Sequence, residues 1–192
     1  WSPDGIRVAV ASASGHIEVW NVETNRRVWS ARGSGKGRAI CEMAFWRSNL
    51  VIISSNAREP EATGFLKVID SRTGALVSTA DQFKEFPRYL SVVPDDEVAY
   101  VGAFYGGMIN KTNFMDGSHQ RSFGWRTGVY GTVKDPGLQG IAVSDDGTLL
   151  VAIVDGGGYA VWDIKNDRPL HEELSGRFIQ IQFLPGSREP LS

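Results

Sequence analysis

Six aspartates at tight turns are the residues in this sequence whose types most readily suggest chemistry. They are Asp4, Asp95, Asp96, Asp145, Asp146 and Asp163. Paired carboxylates can act as general acid and general base. These six are spread along the chain instead of clustered, however, and an aspartate in a tight turn accepts hydrogen bonds from its own backbone. We therefore expect them to form turns and to have no catalytic role.

A second segment, GSGKGR at residues 33–38, has the composition of a phosphate-binding loop. A Walker loop needs glycine three residues before Gly33, where Ser30 stands. It also needs Ser or Thr after Lys36, where Gly37 stands, and no helical pattern follows. We expect this segment to be a loop and not a nucleotide site.

The sequence also contains no motif typical of a metal site or of a catalytic nucleophile. The three histidines and the one cysteine, Cys41, do not have the spacing of a zinc site. No Gly-x-Ser-x-Gly nucleophile elbow is present either. We predict that the chain is not an enzyme and has no catalytic residue, no metal and no cofactor.

Composition narrows the function classes further. The 192 residues are 42% hydrophobic and 22% charged, which suits one or two globular domains. A net charge of −2 provides no general attraction to nucleic acid or to an anionic membrane. One cysteine cannot form an internal disulfide, and no apolar run approaches the ~20 residues of a membrane helix.

A sequence repeat predicts the strands that position these residues. GHIEVWNVETNRR at residues 15–27 and GGYAVWDIKNDRP at residues 157–169 share an apolar alternation, a tryptophan and then Asn or Asp. Weaker copies, LKVIDSRTG and INKTNFMDG, place Ile69 and Thr112 at the position of Trp20 and Trp162. The steps between these positions are 49, 43 and 50 residues. One motif therefore occurs four times.

A second motif has a similar period. WSPDG, FWRSN, VPDDE, VSDDG and FLPGS begin at Trp1, Phe45, Val93, Val143 and Phe183. Each joins an apolar run to a tight turn, as strands do. Four strands fit in each repeat, with the tryptophan motif in the third, at residues 17–22, 65–70, 108–113 and 159–164. Four strands every 40 to 50 residues are typical of a β-propeller blade.

The pairs SPDG…IEVWN and SDDG…YAVWDI resemble the repeats of WD40-type β-propellers, and the resemblance covers nearly the whole chain. The Gly–His pair that this family has before the first strand is missing. Related propellers with YVTN-like or quinoprotein-like repeats contain similar motifs. The resemblance implies an all-β fold of about four four-stranded antiparallel blades, belonging to a larger propeller of about seven blades.

The predicted repeats span residues 1–37, 38–86, 87–136 and 137–176, and residues 177–186 start or complete a further blade. Because the sequence begins at Trp1, inside a motif, we expect it to be a piece of a longer protein. We predict that residues 178–183 do not pair with residues 6–11 to close a four-bladed ring. The missing blades would then come from further chain or from a partner.

Long connections predict the binding surface. The segments at residues 31–38, 56–64, 80–88 and 124–137 would all emerge on one face of a propeller, and such loops are where binding residues accumulate. They carry aromatic and basic residues, the types enriched at interface hot spots. The candidate partner-binding residues are Arg32, Lys36, Arg38, Arg58, Tyr105, Trp125, Arg126, Tyr130 and Lys134.

These features predict a protein–protein interaction scaffold or sensor module, located in the cytoplasm or the nucleus, with other proteins as partners and no membrane. One alternative is a propeller enzyme or small-ligand-binding domain of the quinoprotein or lactonase type. A nucleic-acid-binding propeller is the other, favoured slightly by the basic residues near Lys36 and opposed by the overall acidity.

Overall fold

The structure, a computed structural model, describes most of the chain. The described residues are 1–12, 14–32, 39–56, 63–83, 86–104, 107–123, 137–154, 157–166, 168–173, 180–183 and 190–191. All secondary-structure elements among them are β-strands, apart from turns and bends. The predicted all-β class is therefore confirmed.

Four consecutive antiparallel sheets contain most of these strands. Sheet 1 has three strands, β1 (Arg7–Ala11), β2 (His16–Asn21) and β3 (Arg26–Arg32), which correspond to the second, third and fourth strands of the other sheets. Sheet 2 has β4 (Ala39–Trp46), β5 (Asn49–Asn56), β6 (Thr63–Asp70) and β7 (Leu76–Phe83). Sheet 3 has β8 (Pro87–Val92), β9 (Val98–Ala103), β10 (Ile109–Asn113) and β11 (His119–Phe123). Sheet 4 has β12 (Leu138–Val143), β13 (Leu149–Val154), β14 (Tyr159–Asp163) and β15 (Arg168–Glu173).

Successive sheets pack face to face, and each interface has its own apolar cluster. Ile17 and Val19 of sheet 1 pack with Leu50 and Ile52 of sheet 2. Similar clusters join sheet 2 to sheet 3 and sheet 3 to sheet 4. Strand β8 contacts both β4 and β12, so the first strands of sheets 2, 3 and 4 lie next to one another. We call these three the inner strands.

The tryptophan motif holds the same place in all four sheets. These residues, each the second-last of its strand, are Trp20 in β2, Ile69 in β6, Thr112 in β10 and Trp162 in β14. The Asn or Asp that follows accepts hydrogen bonds from backbone N–H groups of the next turn, for example from Thr24 to Asn21 Oδ1 at 2.8 Å. This side-chain acceptor stabilises the turn to the fourth strand, and it explains why Asn or Asp is present in every copy.

The register of the sheets also repeats. In the inner strands a bulge inserts one extra residue into the ladder, and these residues are Cys41, Arg88 and Gln139. In the fourth strands a second bulge follows the tryptophan-motif position, and in sheets 1, 2 and 4 the extra residue is apolar and exposed. These residues are Val28, Val77 and Leu170. Bulges disturb the outer edge of a sheet and so oppose edge-to-edge association.

The two remaining strands bear on the predicted ring closure. Strand β16 (Gln182–Phe183) pairs with β17 (Pro190–Leu191) and contacts β12. Strand β1 pairs with β2. Among the described residues no ladder joins β16 to β1 and no closed ring of sheets is formed, although residues 178 and 179 lie outside the described part.

Candidate functional site

The sheets have two distinct ends. Within an antiparallel four-stranded sheet, the connections from first to second strand and from third to fourth lie at one end, which we call the turn end. The connections from second to third strand, and from one sheet to the next, lie at the other end, which we call the loop end. The beginnings of β4 and β8 and the last residues of β5 line one cavity, so sheets 2 and 3 have the same orientation.

Of the nine candidate partner-binding residues, the structure describes Arg32. It is the last residue of β3, it is exposed, and it lies at the loop end. The other eight lie outside the described residues. The structure therefore brings none of these candidates together. The described part of the loop end consists of the strand ends that the connections join.

The three inner-strand bulges all lie at the loop end. Cys41, Arg88 and Gln139 are each close to the start of their strand, and steps of 47 and 51 residues separate them. A bulge redirects a side chain locally and is over-represented next to active sites. Three residues of different chemistry therefore occupy one structural position at this end of adjacent sheets.

A cavity of about 580 Å³ lies between sheets 2 and 3 at the loop end. Two of the bulge residues, Cys41 and Arg88, line it. Its apolar lining includes Ile40, Pro87 and Phe104. The volume falls within the range of small-molecule sites, which is roughly 300–1,000 Å³.

Arg88 is held at this cavity by an aromatic ring. Its guanidinium carbon lies 4.8 Å from the centroid of the Phe104 ring, which is the geometry of a cation–π contact. The ion pairs seen elsewhere in the described chain, such as Arg7 with Asp4 at 2.9 Å, do not include Arg88. The five N–H donors of this side chain are therefore not used by a described carboxylate.

Polar groups on sheet 2 complete the lining. The Cys41 Sγ and Ser55 Oγ atoms are 3.1 Å apart, and either can be the donor. The neighbouring Glu42 carboxylate accepts a hydrogen bond from the backbone N–H of Leu90 in the adjacent inner strand. Burial raises the pKa of Glu42, and the Leu90 hydrogen bond opposes this rise.

Several of the described aspartates lie in turns at the turn end. Asp4 accepts hydrogen bonds from the Ser2 hydroxyl and the Ile6 backbone N–H, and these bonds lower its pKa to about 2. Asp146 accepts from Ser144 and Thr148 in the equivalent turn. The Asn166 side chain and backbone lower the pKa of Asp163 in the same manner. The expectation that these aspartates form turns is confirmed for Asp4, Asp146 and Asp163.

Neither a metal site nor a membrane helix emerges from the described residues. No group of three or more His, Cys, Asp or Glu side chains is placed to hold a metal ion there. The same residues contain no helix of the length and hydropathy needed to cross a bilayer.

The chain matches no protein-family model, and no curated protein matches it either. The function must therefore be argued from the geometry of the loop end.

The cavity was missed by the sequence analysis for a physical reason. Arg88 and Phe104 lie in one sheet and Cys41 and Ser55 in another, so they meet only when the sheets stack. The bulges that place Cys41 and Arg88 depend on strand register and not on residue type. The one usable signal was the steps of 47 and 51 residues between the bulge residues, which match the repeat period.

Proposed function

We propose that the four sheets are blades of a WD40-like β-propeller, and that the chain binds other proteins through its loop end as a scaffold or sensor module. Sheets that converge at their inner strands, together with the repeat of about 40 to 50 residues, support the propeller. On this proposal the four sheets are part of a larger ring of about seven blades.

The observation that carries the binding role is the row of inner-strand bulges at the loop end. Cys41, Arg88 and Gln139 hold equivalent positions on a rigid framework of strands. Rigid positions that differ in chemistry favour selective binding, because each can contact a different group of a partner. The repeats are alike in the core and differ at this end.

The distribution of acidic groups favours binding over hydrolysis. The described carboxylates with lowered pKa include Asp4, Asp116 and Asp163, which are bound in turns at the turn end. A general acid at neutral pH needs the opposite shift, a raised pKa. Glu42, next to Cys41 at the loop end, has that shift, but its carboxylate is already bound to the Leu90 backbone N–H. The cavity at the loop end lies at the other end of the sheets from these turns.

A small-ligand-binding propeller is the second candidate, and the cavity of about 580 Å³ favours it. A nucleic-acid-binding propeller is distinguished by salt. Phosphate contacts would make affinity fall steeply with salt concentration, whereas binding to a protein surface depends on salt less steeply.

Affinity capture with matched variants tests the binding role. We expect proteins captured by the native chain to be lost when Arg88 and Gln139 are both replaced by Ala. A second variant, Trp125→Ala with Arg126→Ala, tests the loop residues in the same way. The control variants, Asp116→Ala and Arg26→Ala, lie at the turn end and should leave capture unchanged. Equal losses from both ends would contradict the proposal.

A further inference from the structure

We propose that the cavity between sheets 2 and 3 binds a carboxylate joined to a compact apolar group, with Arg88 as its counter-ion. The inference rests on the proposed function, since the cavity is at the loop end, and it adds the chemistry of what binds there. The carboxylate can belong to a partner protein or to a free organic acid.

The charge of the ligand follows from Arg88. Its side chain is exposed, it lies over the Phe104 ring, and it forms no ion pair with a described residue. A guanidinium group presents a planar set of donors that matches the two oxygens of a carboxylate. The ring contact restricts the side chain before a ligand arrives, so less conformational entropy is lost on binding.

No carboxylate of a neighbouring described residue occupies the place of such a ligand beside Arg88. Glu42 is on the adjacent inner strand, but its carboxylate accepts from the Leu90 backbone N–H. Two other described arginines, the buried Arg7 and the exposed Arg47, have polar partners. Arg7 pairs with Asp4, and Arg47 donates to the Asp95 carbonyl at 3.0 Å and lies over Trp46. Arg88 differs from both because it lines a cavity and no oxygen atom of a described residue accepts from its guanidinium group.

The apolar part of the ligand follows from the lining and the size. A carboxylate alone would fill a small part of about 580 Å³. Ile40, Pro87 and Phe104 line the rest, and burying an apolar group against them is favourable. A ligand that carries both parts can pair with Arg88 and also pack against the apolar lining.

A second donor is available in the same lining. Ser55 is 8% exposed, and its hydroxyl is within 3.1 Å of the Cys41 thiol. When the thiol donates to Ser55 Oγ, the Ser55 hydroxyl hydrogen can turn to an acceptor in the cavity. The pair thus adapts to an occupied or an empty cavity without leaving a polar atom unpaired.

Cys41 makes the cavity measurable, because it is the one cysteine in the chain and it lines the cavity. The probe is 3-phenylpropionate, and its matched neutral control is 3-phenylpropanamide. We measure the rate at which iodoacetamide alkylates Cys41 while either compound is titrated, with calorimetry on the same samples. The acid should slow alkylation several-fold at saturation and release heat on binding, and the amide should do neither.

Variants then test the counter-ion. Arg88→Met should raise the half-protecting concentration of 3-phenylpropionate about tenfold or more. Arg88→Lys keeps the charge without the planar donors and should fall between that variant and the native chain. Arg26→Met, an exposed arginine at the turn end, is the control and should change nothing. Urea unfolding checks that each variant is folded.

A peptide pair distinguishes the two sources of the carboxylate. Acetyl-Leu-Glu-Leu-amide is compared with acetyl-Leu-Gln-Leu-amide in the same assay. Protection by the glutamate peptide alone assigns the site to a protein partner, and protection by 3-phenylpropionate alone assigns it to a free acid. Equal binding of acid and amide, no binding of any probe, or undiminished binding to Arg88→Met would overturn the proposal.

The failure of this inference can be separated from that of the proposed function. If no probe binds but capture of proteins still requires Gln139, the cavity inference is wrong and the binding role stands. If 3-phenylpropionate binds while loop-end variants leave capture unchanged, the cavity is a ligand site and the scaffold role is wrong.

Discussion

Trp20 and Trp162 hold the same position in sheets 1 and 4, but their surroundings differ. Trp162 is 7% exposed and lies in the cluster that joins sheet 4 to sheet 3. Trp20 is half-buried, and its indole N–H donates to Glu18 Oε2 at 3.0 Å. One tryptophan is therefore part of an interface, and the other is held by a residue of its own strand.

The difference comes from the face on which the position lies. The corresponding residues of the later sheets, Ile69 and Thr112, are also buried, and Ile69 packs against sheet 1. The equivalent face of sheet 1 carries Trp20 and Val10, which is 54% exposed, and no other described sheet covers it. The contribution of a tryptophan at this position to stability therefore depends on whether a neighbouring sheet covers it, as in repeat proteins generally.

The largest expected effect separates the two tryptophans directly. Trp162→Ala removes a buried aromatic side chain from the interface of sheets 3 and 4 and should cost about 3–5 kcal/mol of unfolding free energy. Trp20→Ala removes a half-buried side chain and should cost about 1 kcal/mol. Urea unfolding of both variants measures this. Equal losses would mean that the Trp20 face is covered as fully as that of Trp162.

A glycine pair tests how closely sheets 2 and 3 pack against each other. A Cβ atom added to Gly64 would lie 2.1 Å from Pro87 Cγ, and relief requires movement of one sheet against the other. Gly64→Ala should cost about 1–3 kcal/mol. Gly140→Ala is the control, since its nearest neighbour, Ile153 Cδ1, lies at 3.9 Å. If thermal unfolding shows the same midpoint for both variants, sheets 2 and 3 are loosely joined.

The sequence was informative where a residue acts through its own backbone. The strands that carry the tryptophan motif were predicted within one or two residues because the Asn or Asp that ends each one stabilises the following turn, as at Asn21 and Asp163. Alternation of apolar residues then predicts the strand before it. The face that each strand buries follows from the same alternation.

The sequence was less informative where the position of a residue depends on the register between strands. The sequence aligned Val93 with Val143, but Val93 corresponds to Ser144, since these two donate the equivalent hydrogen bonds to Val98 and Leu149. The error arose because Val93 stands at the position where Ser2 and Ser144 stand in the two well-matched copies. The Arg88 and Phe104 pair depends on a bulge and on sheet stacking, neither of which any single motif encodes.

The turns with and without that serine provide the next test. Asp146 Oδ1 accepts from the Thr148 backbone N–H at 3.0 Å and from the Ser144 hydroxyl at 2.7 Å. Asp146→Ala should therefore cost about 1 kcal/mol of unfolding free energy. Asp95→Ala, at the equivalent position in the turn of sheet 3, is exposed and should change it by less than about 0.5 kcal/mol. A loss at Asp95 as large as that at Asp146 would show that the two turns are equally dependent on a carboxylate.

The smallest effects are expected from two carboxylates, Glu42 between sheets 2 and 3 and Glu18 on the open face of sheet 1. Burial raises the pKa of Glu42 above its ordinary value of 4.5, so the folded chain holds a proton that the unfolded chain has released. Stability from this group is present below pH 4.5 and is lost as pH rises through the folded pKa. Hydrogen bonds from Trp20 and Arg27 lower the pKa of Glu18, so its contribution is present above pH 4.5 and is lost as pH falls.

Glutamine at each position should remove these opposite slopes. In Glu42→Gln the introduced amide oxygen can still accept from Leu90 but the side chain cannot ionise, so this variant should be more stable than the native sequence at pH 8 and not at pH 4. Glu18→Gln should weaken the chain slightly at pH 8, and this difference should shrink as pH falls through the lowered pKa of Glu18. Urea unfolding of both variants at pH 3, 4, 6 and 8 measures the two slopes. Slopes of the same sign would show that the open face of sheet 1 and the interface of sheets 2 and 3 do not differ in their electrostatic environment.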